Sequence, residues 1–148
     1  MNLLDTKKHI EKILDELKIE YNQINLEDED INYFLEIDGE KYIPELRNVG
    51  ALNTLMYINV VKETVTIFCG NLYRECSKES IIKIINVANS VNNLITYGKI
   101  FVDNKGNVIY QNTFPLNDLE KISTYINAFV LAVWLFYCEM KKYEANYD

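Results

Sequence analysis

The chain is poor in the residues that do chemistry. It has one histidine, three cysteines, two prolines, five glycines and one tryptophan in 148 residues. With His9 as the only imidazole, a Ser-His-Asp relay has a single candidate base, and His9 lies among charges on a helical stretch where a solvated role is expected. The glycines are scattered, so no phosphate-cradling loop exists, and no Gly-x-Ser-x-Gly elbow is present. Cys69, Cys76 and Cys138 stand apart, without a Cys-x-x-Cys and without a neighbouring histidine, which argues against zinc and against an activated thiol. Free thiols in a reducing cytoplasm are the simplest account of an odd count. Basic residues are outnumbered, 15 against 22 acidic, for a net charge of −7. Phosphate binding draws on clustered Lys and Arg, so a nucleic-acid partner is not expected. Met1-Asn2-Leu3-Leu4-Asp5 shows no basic segment leading into an apolar run, so no signal peptide is expected.

What the chain does have is periodicity. Hydrophobic residues make up 49% and charged residues 25%, the balance of a globular protein with one core, and 1–148 is expected to be one domain. Leu3, Ile10, Ile13, Leu14 and Leu17 predict a helix over 3–18. Residues 20–26 allow a short strand, and Glu27-Asp28-Glu29-Asp30 predicts a solvated loop, since the calcium-loop spacing is missing. Ile31, Tyr33, Leu35 and Ile37 alternate as a strand, Asp38-Gly39 predicts a hairpin turn, and 41–49 its return strand, with Pro44 confining it to an edge. Strands follow over 52–61 and 64–69, then a loop over 70–76. The threonines at 64 and 66 imply that one sheet face is wetter.

A helix is predicted from an N-cap at Ser77 to Tyr97-Gly98, its dry face built from Ile81, Ile84, Ala88, Val91 and Ile95. Its wet face carries Asn86, Asn89 and Asn93, which either form a polar patch for a ligand or bind water and cap the neighbouring hairpin. That hairpin is predicted over 99–102 and 107–112. Phe114-Pro115 ends it, and Asn117 with Glu120 has the spacing of a capping box opening a final helix.

The final helix is apolar nearly all the way round from Tyr125 to Cys138, a run shorter than the ~18–20 residues of a membrane span. Ile122, Ile126, Phe129, Val133 and Phe136 make a core-facing stripe, Tyr125, Leu131, Leu135 and Cys138 fall elsewhere, and Trp134 lies between. Either other elements cover this second dry face, or it is a dimer seam or a groove for a partner's apolar segment. The candidate partner-binding residues are Phe129, Trp134, Leu135 and Tyr137.

The order Asn86-Val-Ala-Asn89, Tyr97-Gly98-Lys99-Ile100-Phe101-Val102-Asp103, Gly106-Asn107-Val108-Ile109-Tyr110 and a long last helix resembles the YbjN-like family, which is similar in fold to type III secretion chaperones. Tyr97 and Ile100 stand where more typical members carry Phe. The resemblance implies an α+β domain with a chaperone-like or regulatory role, and it supplies no catalytic residues. The fold expected is an antiparallel sheet of five to six strands with helices packed on one face, in the order helix, three to four strands, helix, two strands, helix. The function expected is non-enzymatic, cytoplasmic binding of a protein or peptide segment by a homodimer, without cofactor, metal or membrane span. The alternative is small-molecule sensing in an aromatic pocket between sheet and final helix.

Overall fold

The structure, a computed structural model, describes residues 3–26, 30–73 and 80–147. The expected roles of Glu27, Asp28, Glu29, Cys76 and Ser77 lie outside the described residues. The fold class is as expected: a six-stranded antiparallel sheet with three helices on one face. The first helix, α1 (Leu3–Glu16), leads into β1 (Glu20–Leu26) and β2 (Asp30–Asp38). Then come β3 (Ala51–Asn59), β4 (Thr64–Tyr73), α2 (Ile81–Asn92), β5 (Lys99–Val102), β6 (Val108–Pro115) and α3 (Ile122–Tyr147). The strands lie in the order β1-β2-β3-β4-β6-β5, so only the last hairpin breaks the meander.

Alternation decides which residues line the core. Ile31, Tyr33, Leu35 and Ile37 of β2, Leu52, Thr54, Met56 and Ile58 of β3, Val65, Ile67 and Cys69 of β4, and Val108, Tyr110, Asn112 and Phe114 of β6 are all buried toward the helices.

Several boundaries differ from expectation, each for a local reason. The return strand expected over 41–49 is two 3-10 turns, Gly39–Lys41 and Pro44–Asn48. Asp38 accepts from the Glu40 amide, Pro44 brings no ladder donor, and Leu46 drops into the core against Gly39. The strand that pairs β2 is β3, with Asp38 opposite Ala51. Residues 70–73 continue β4 across an irregularity between Cys69 and Tyr73 rather than forming a loop. Asn117 does not open the final helix: it lies within a 3-10 segment, Leu116–Lys121, that feeds α3.

The largest revision concerns the end of α2. The helix stops at Asn92, and Gly98 is a hinge into β5, with φ +76. A Cβ there would lie 2.6 Å from the Tyr110 ring and hydroxyl. Tyr110 is fully buried, its hydroxyl donates to the Tyr97 carbonyl at 3.1 Å, and its ring packs on Phe129 at 4.9 Å, so it has nowhere to go. Backbone strain and overlap therefore add. Gly98→Ala should lower stability by roughly 2–4 kcal/mol in urea unfolding. A loss under about 0.5 kcal/mol would show the close approach of Gly98 and Tyr110 to be unimportant.

Candidate protein-binding surface

Ring pairs seat α3 on the sheet. Phe114 stacks on Tyr125 at 4.0 Å, Tyr110 packs on Phe129 at 4.9 Å, and Tyr73 meets Phe136 edge-on at 5.5 Å. Contacts of this kind add roughly 0.5–1.5 kcal/mol each beyond burial. The helix therefore runs antiparallel to β6 along the middle of the sheet. On one side α2 packs against it. On the other side α1 rests on β1 and β2, and its Ile13 and Leu17 share a cavity of about 380 Å³ with Ile122 and Ser123 at the start of α3.

A helix flanked on both sides needs two dry flanks. The stripe Ile122, Ile126, Phe129, Val133 and Phe136 is fully buried, as expected, and Val130 and Ala132 are fully buried with it. The second dry face is thus covered mainly by the chain's own helices. Four candidate residues divide accordingly. Phe129 is a core residue beneath Tyr110 and cannot meet a partner, which corrects the expectation. Trp134, Leu135 and Tyr137 are half-buried and packed against the core, and the Tyr137 hydroxyl donates to the Leu72 carbonyl at 3.2 Å. Among the large apolar residues of α3 whose side chains are described, Leu131 is the one well exposed, at 47%. The helix has 26 residues and is long and apolar enough, by length and composition, to cross a membrane, so the expected shortfall in length does not hold. Its apolar residues instead fill the core. The same rings occupy the layer in which the sensing alternative places its pocket.

Asn86 and Asn89 are exposed on the outward face of α2, beside Ile82 and Ile85. The asparagine that caps the hairpin is Asn92, which sequence reasoning missed. Its side chain accepts from the Ile100 amide at 2.7 Å and donates to the Ile100 carbonyl at 2.8 Å. Both outward-pointing backbone groups of Ile100 on edge strand β5 are therefore already paired. Among the described residues no group of three or more His, Cys, Asp or Glu is placed to hold a metal ion.

The sheet's other face carries the surface that sequence reasoning overlooked. No helix covers it. Registers place Asn22, Phe34, Leu55, Phe68, Gln111 and Lys99 in one row across all six strands. Phe34 is 42% exposed, Leu55 and Phe68 are half-buried, and the Phe68 ring lies over Gly70. The flanking rows are Asn32, Tyr57, Thr66 and Thr113 on one side, and Glu20, Glu36 and Asn53 on the other. Thr66 and Thr113 hydroxyls bond each other at 2.9 Å, so the wetter face implied by the threonines exists, with an apolar row through it. A signal was present: Phe34, Leu55, Tyr57 and Phe68 are large apolar residues in the outward phase of their strands.

The titrations that stand out are tyrosines. Burial, then the Glu11 carboxylate, pushes the Tyr33 hydroxyl up, and burial alone does so for Tyr110 and Tyr42. Tyr125 is raised by burial, then by Asp118, which accepts its hydroxyl at 3.2 Å.

This is an α+β domain of the YbjN-like fold. No family model matches the sequence, and none of the curated proteins does. The fold is shared with an uncharacterized protein from Methanothermobacter thermautotrophicus, at TM-score 0.65 and 12% identity over 93% of this chain and 98% of that one. It is shared also with YbjN from E. coli, described as a candidate transcription regulator, at TM-score 0.57 and 10% identity over 94% of this chain and 93% of that one. The HopA1-SchA chaperone-effector complex aligns at TM-score 0.45 and 10% identity over 87% of this chain and 88% of that one, too distant to bear on function. At such identities the likeness is one of fold.

Two predictions follow from the packing. Phe129→Ala should destabilise by about 3–5 kcal/mol and Leu131→Ala by under about 1 kcal/mol, measured by urea unfolding. A raised tyrosine value means that the unfolded chain ionises first. The stability held by Tyr33 and Tyr110 is whole below about pH 10 and drains away as pH rises above it. Absorbance at tyrosinate wavelengths should show exposed tyrosines ionising near that pH and a late group ionising only as the protein unfolds. A single smooth titration in the folded protein would contradict this.

Proposed function

We propose that this chain is a non-enzymatic, cytoplasmic protein-binding module, chaperone-like or regulatory, that works as a homodimer. Residues 1–148 form one such domain. The observation that carries the reading is the uncovered sheet face with the row Phe34, Leu55 and Phe68 at its centre and Tyr57 beside it. Large apolar side chains cost water contact when left outside, and a contiguous set rimmed by Asn22, Glu36, Thr66 and Gln111 is how a contact surface is composed. The half-buried Trp134, Leu135 and Tyr137 are, on this reading, the outer wall of the core, with Leu131 as a secondary contact at most. Neither cofactor nor metal, nucleic acid nor membrane crossing enters this function.

A photo-cross-linking amino acid at position 34 tests the surface without presuming the partner. Introduced in the protein's own cells, it should give discrete protein adducts, while the same group in place of exposed Lys142 gives none. An absence of adducts at position 34, with the protein folded and present, would overturn the proposal.

A further inference from the structure

We infer that the partner of the uncovered sheet face is a protein segment carrying a cationic side chain, arginine before lysine, next to its apolar residues, and that this side chain seats beside Phe34 between Glu20 and Glu36. This rests on the reading of that face as a binding surface and names the chemistry of its occupant.

The apolar row has an unlike end. Strand alternation turns Glu20 and Asn22 of β1, and Phe34 and Glu36 of β2, to the outward face. With Asp15 and Lys18 they line a cavity of about 570 Å³ at the β1–β2 end of the row. Phe34 belongs to both features. It is a wall of the cavity, and it is the first ring of the row that continues through Leu55 and Phe68. A segment lying along the row therefore brings a side chain to the cavity.

The charge at that end is uncompensated. Glu20 and Glu36 stand directly opposite each other on neighbouring strands, both exposed. Like charges so placed weaken a sheet. Among the described residues neither carboxylate makes an ion pair, and Lys18 on the same cavity wall pairs with neither. Lys99 lies at the far end of the row, five strand spacings or about 24 Å away, well beyond the ~8 Å over which physiological salt leaves a charge felt. An apolar row ending in two unpaired acids is complemented by apolar residues followed by a positive charge.

The surroundings select the kind of cation. Phe34, 42% exposed, stands beside the acids, and an organic cation is attracted by an aromatic ring and bonded by carboxylates at once. A guanidinium does this better than an ammonium, because it stacks flat on a ring and forks toward carboxylates. Asp15, Glu20 and Glu36 are not gathered closely enough to share a metal ion. A free small cation would fill the cavity and leave Leu55 and Phe68 in water, so the cation belongs to a chain that covers the row as well.

Two probes test this. In the first, a photo-cross-linking amino acid replaces Leu55, and adducts are measured in the protein's own cells. Glu20→Lys and Glu36→Lys should each cut the adduct yield about three- to tenfold, whereas Glu120→Lys, the same change of charge on the helix side, should leave it within about twofold. In the second, a displayed library of random peptides is selected on the purified full chain. Peptides whose binding is lost on Phe68→Glu should carry arginine or lysine well above the library's frequency. Selection on the Glu20→Lys/Glu36→Lys double variant should turn that preference to aspartate and glutamate. Circular dichroism checks the fold of each variant, and Glu20→Gln/Glu36→Gln, which removes charge alone, replaces any reversal that fails to fold. Adducts indifferent to the reversals, an equal loss on Glu120→Lys, or selected peptides without a cationic preference overturn the inference and leave the binding surface standing. No adducts at position 34 or 55, with no peptides that need Phe68, sink both.

Discussion

The seating of α3 on the sheet by successive ring pairs is the constraint from which the rest of the architecture follows. Phe114, Tyr110 and Tyr73 each receive an aromatic side chain from the next turn or two of the helix, Tyr125, Phe129 and Phe136. Full burial of such side chains is worth roughly 1.5–3 kcal/mol apiece. The surface ion pairs of α1 and α3, such as the half-buried Lys7–Glu11 and the more open Lys142–Glu139, are worth only about 0.3–0.5 kcal/mol each. Ring packing therefore sets the position of α3, and the charged residues accommodate it. With α3 in the middle, α1 and α2 take the flanks, and the helix must be apolar on both sides. Its composition is that of a central core helix.

The same arrangement fixes what happens at the hairpin. Tyr110 has to present its ring to Phe129 and its hydroxyl to the Tyr97 carbonyl, which leaves room for glycine alone at 98. That tight return brings β5 back beside α2, where Asn92 pairs both free backbone groups of Ile100. One edge of the sheet is closed by a single amide, and the helices are all spent on one face. Among the described residues no further element covers the outward face.

How much of this was legible in the sequence depends on the range of the forces involved. Alternation in Ile31–Ile37 and the three- and four-residue spacing in Ile122–Phe136 named the core residues correctly, because burial imposes its period on the local chain. The fold class followed, and so did the likeness to YbjN-like proteins. What failed was arithmetic between distant segments. Two dry flanks on one helix look like a surplus until the other helices are placed beside it, and Phe129, already in the core-facing stripe, was also named a partner-binding residue for that reason. The turns at 39–48 and the end of α2 failed because Leu46 and Tyr110, both far along the chain from some of their contacts, decide the local backbone. The outward phase of the strands was read for its threonines and not for Phe34, Leu55 and Phe68, since only the registers show that these three stand side by side.

That row argues for function because folding does not require it. The neighbouring outward row of the same strands is built from Asn32, Thr66 and Thr113, with Tyr57 among them, and these sit comfortably with the Thr66 and Thr113 hydroxyls bonded to each other. Polar or β-branched residues would therefore serve at 34, 55 and 68 as well. Phenylalanine at an exposed strand position adds an aggregation liability. The apolar row lies in the middle of the face, while the Ile100 groups of the β5 edge are already paired by Asn92, and this contrast is what supports the face rather than that edge as a place of contact.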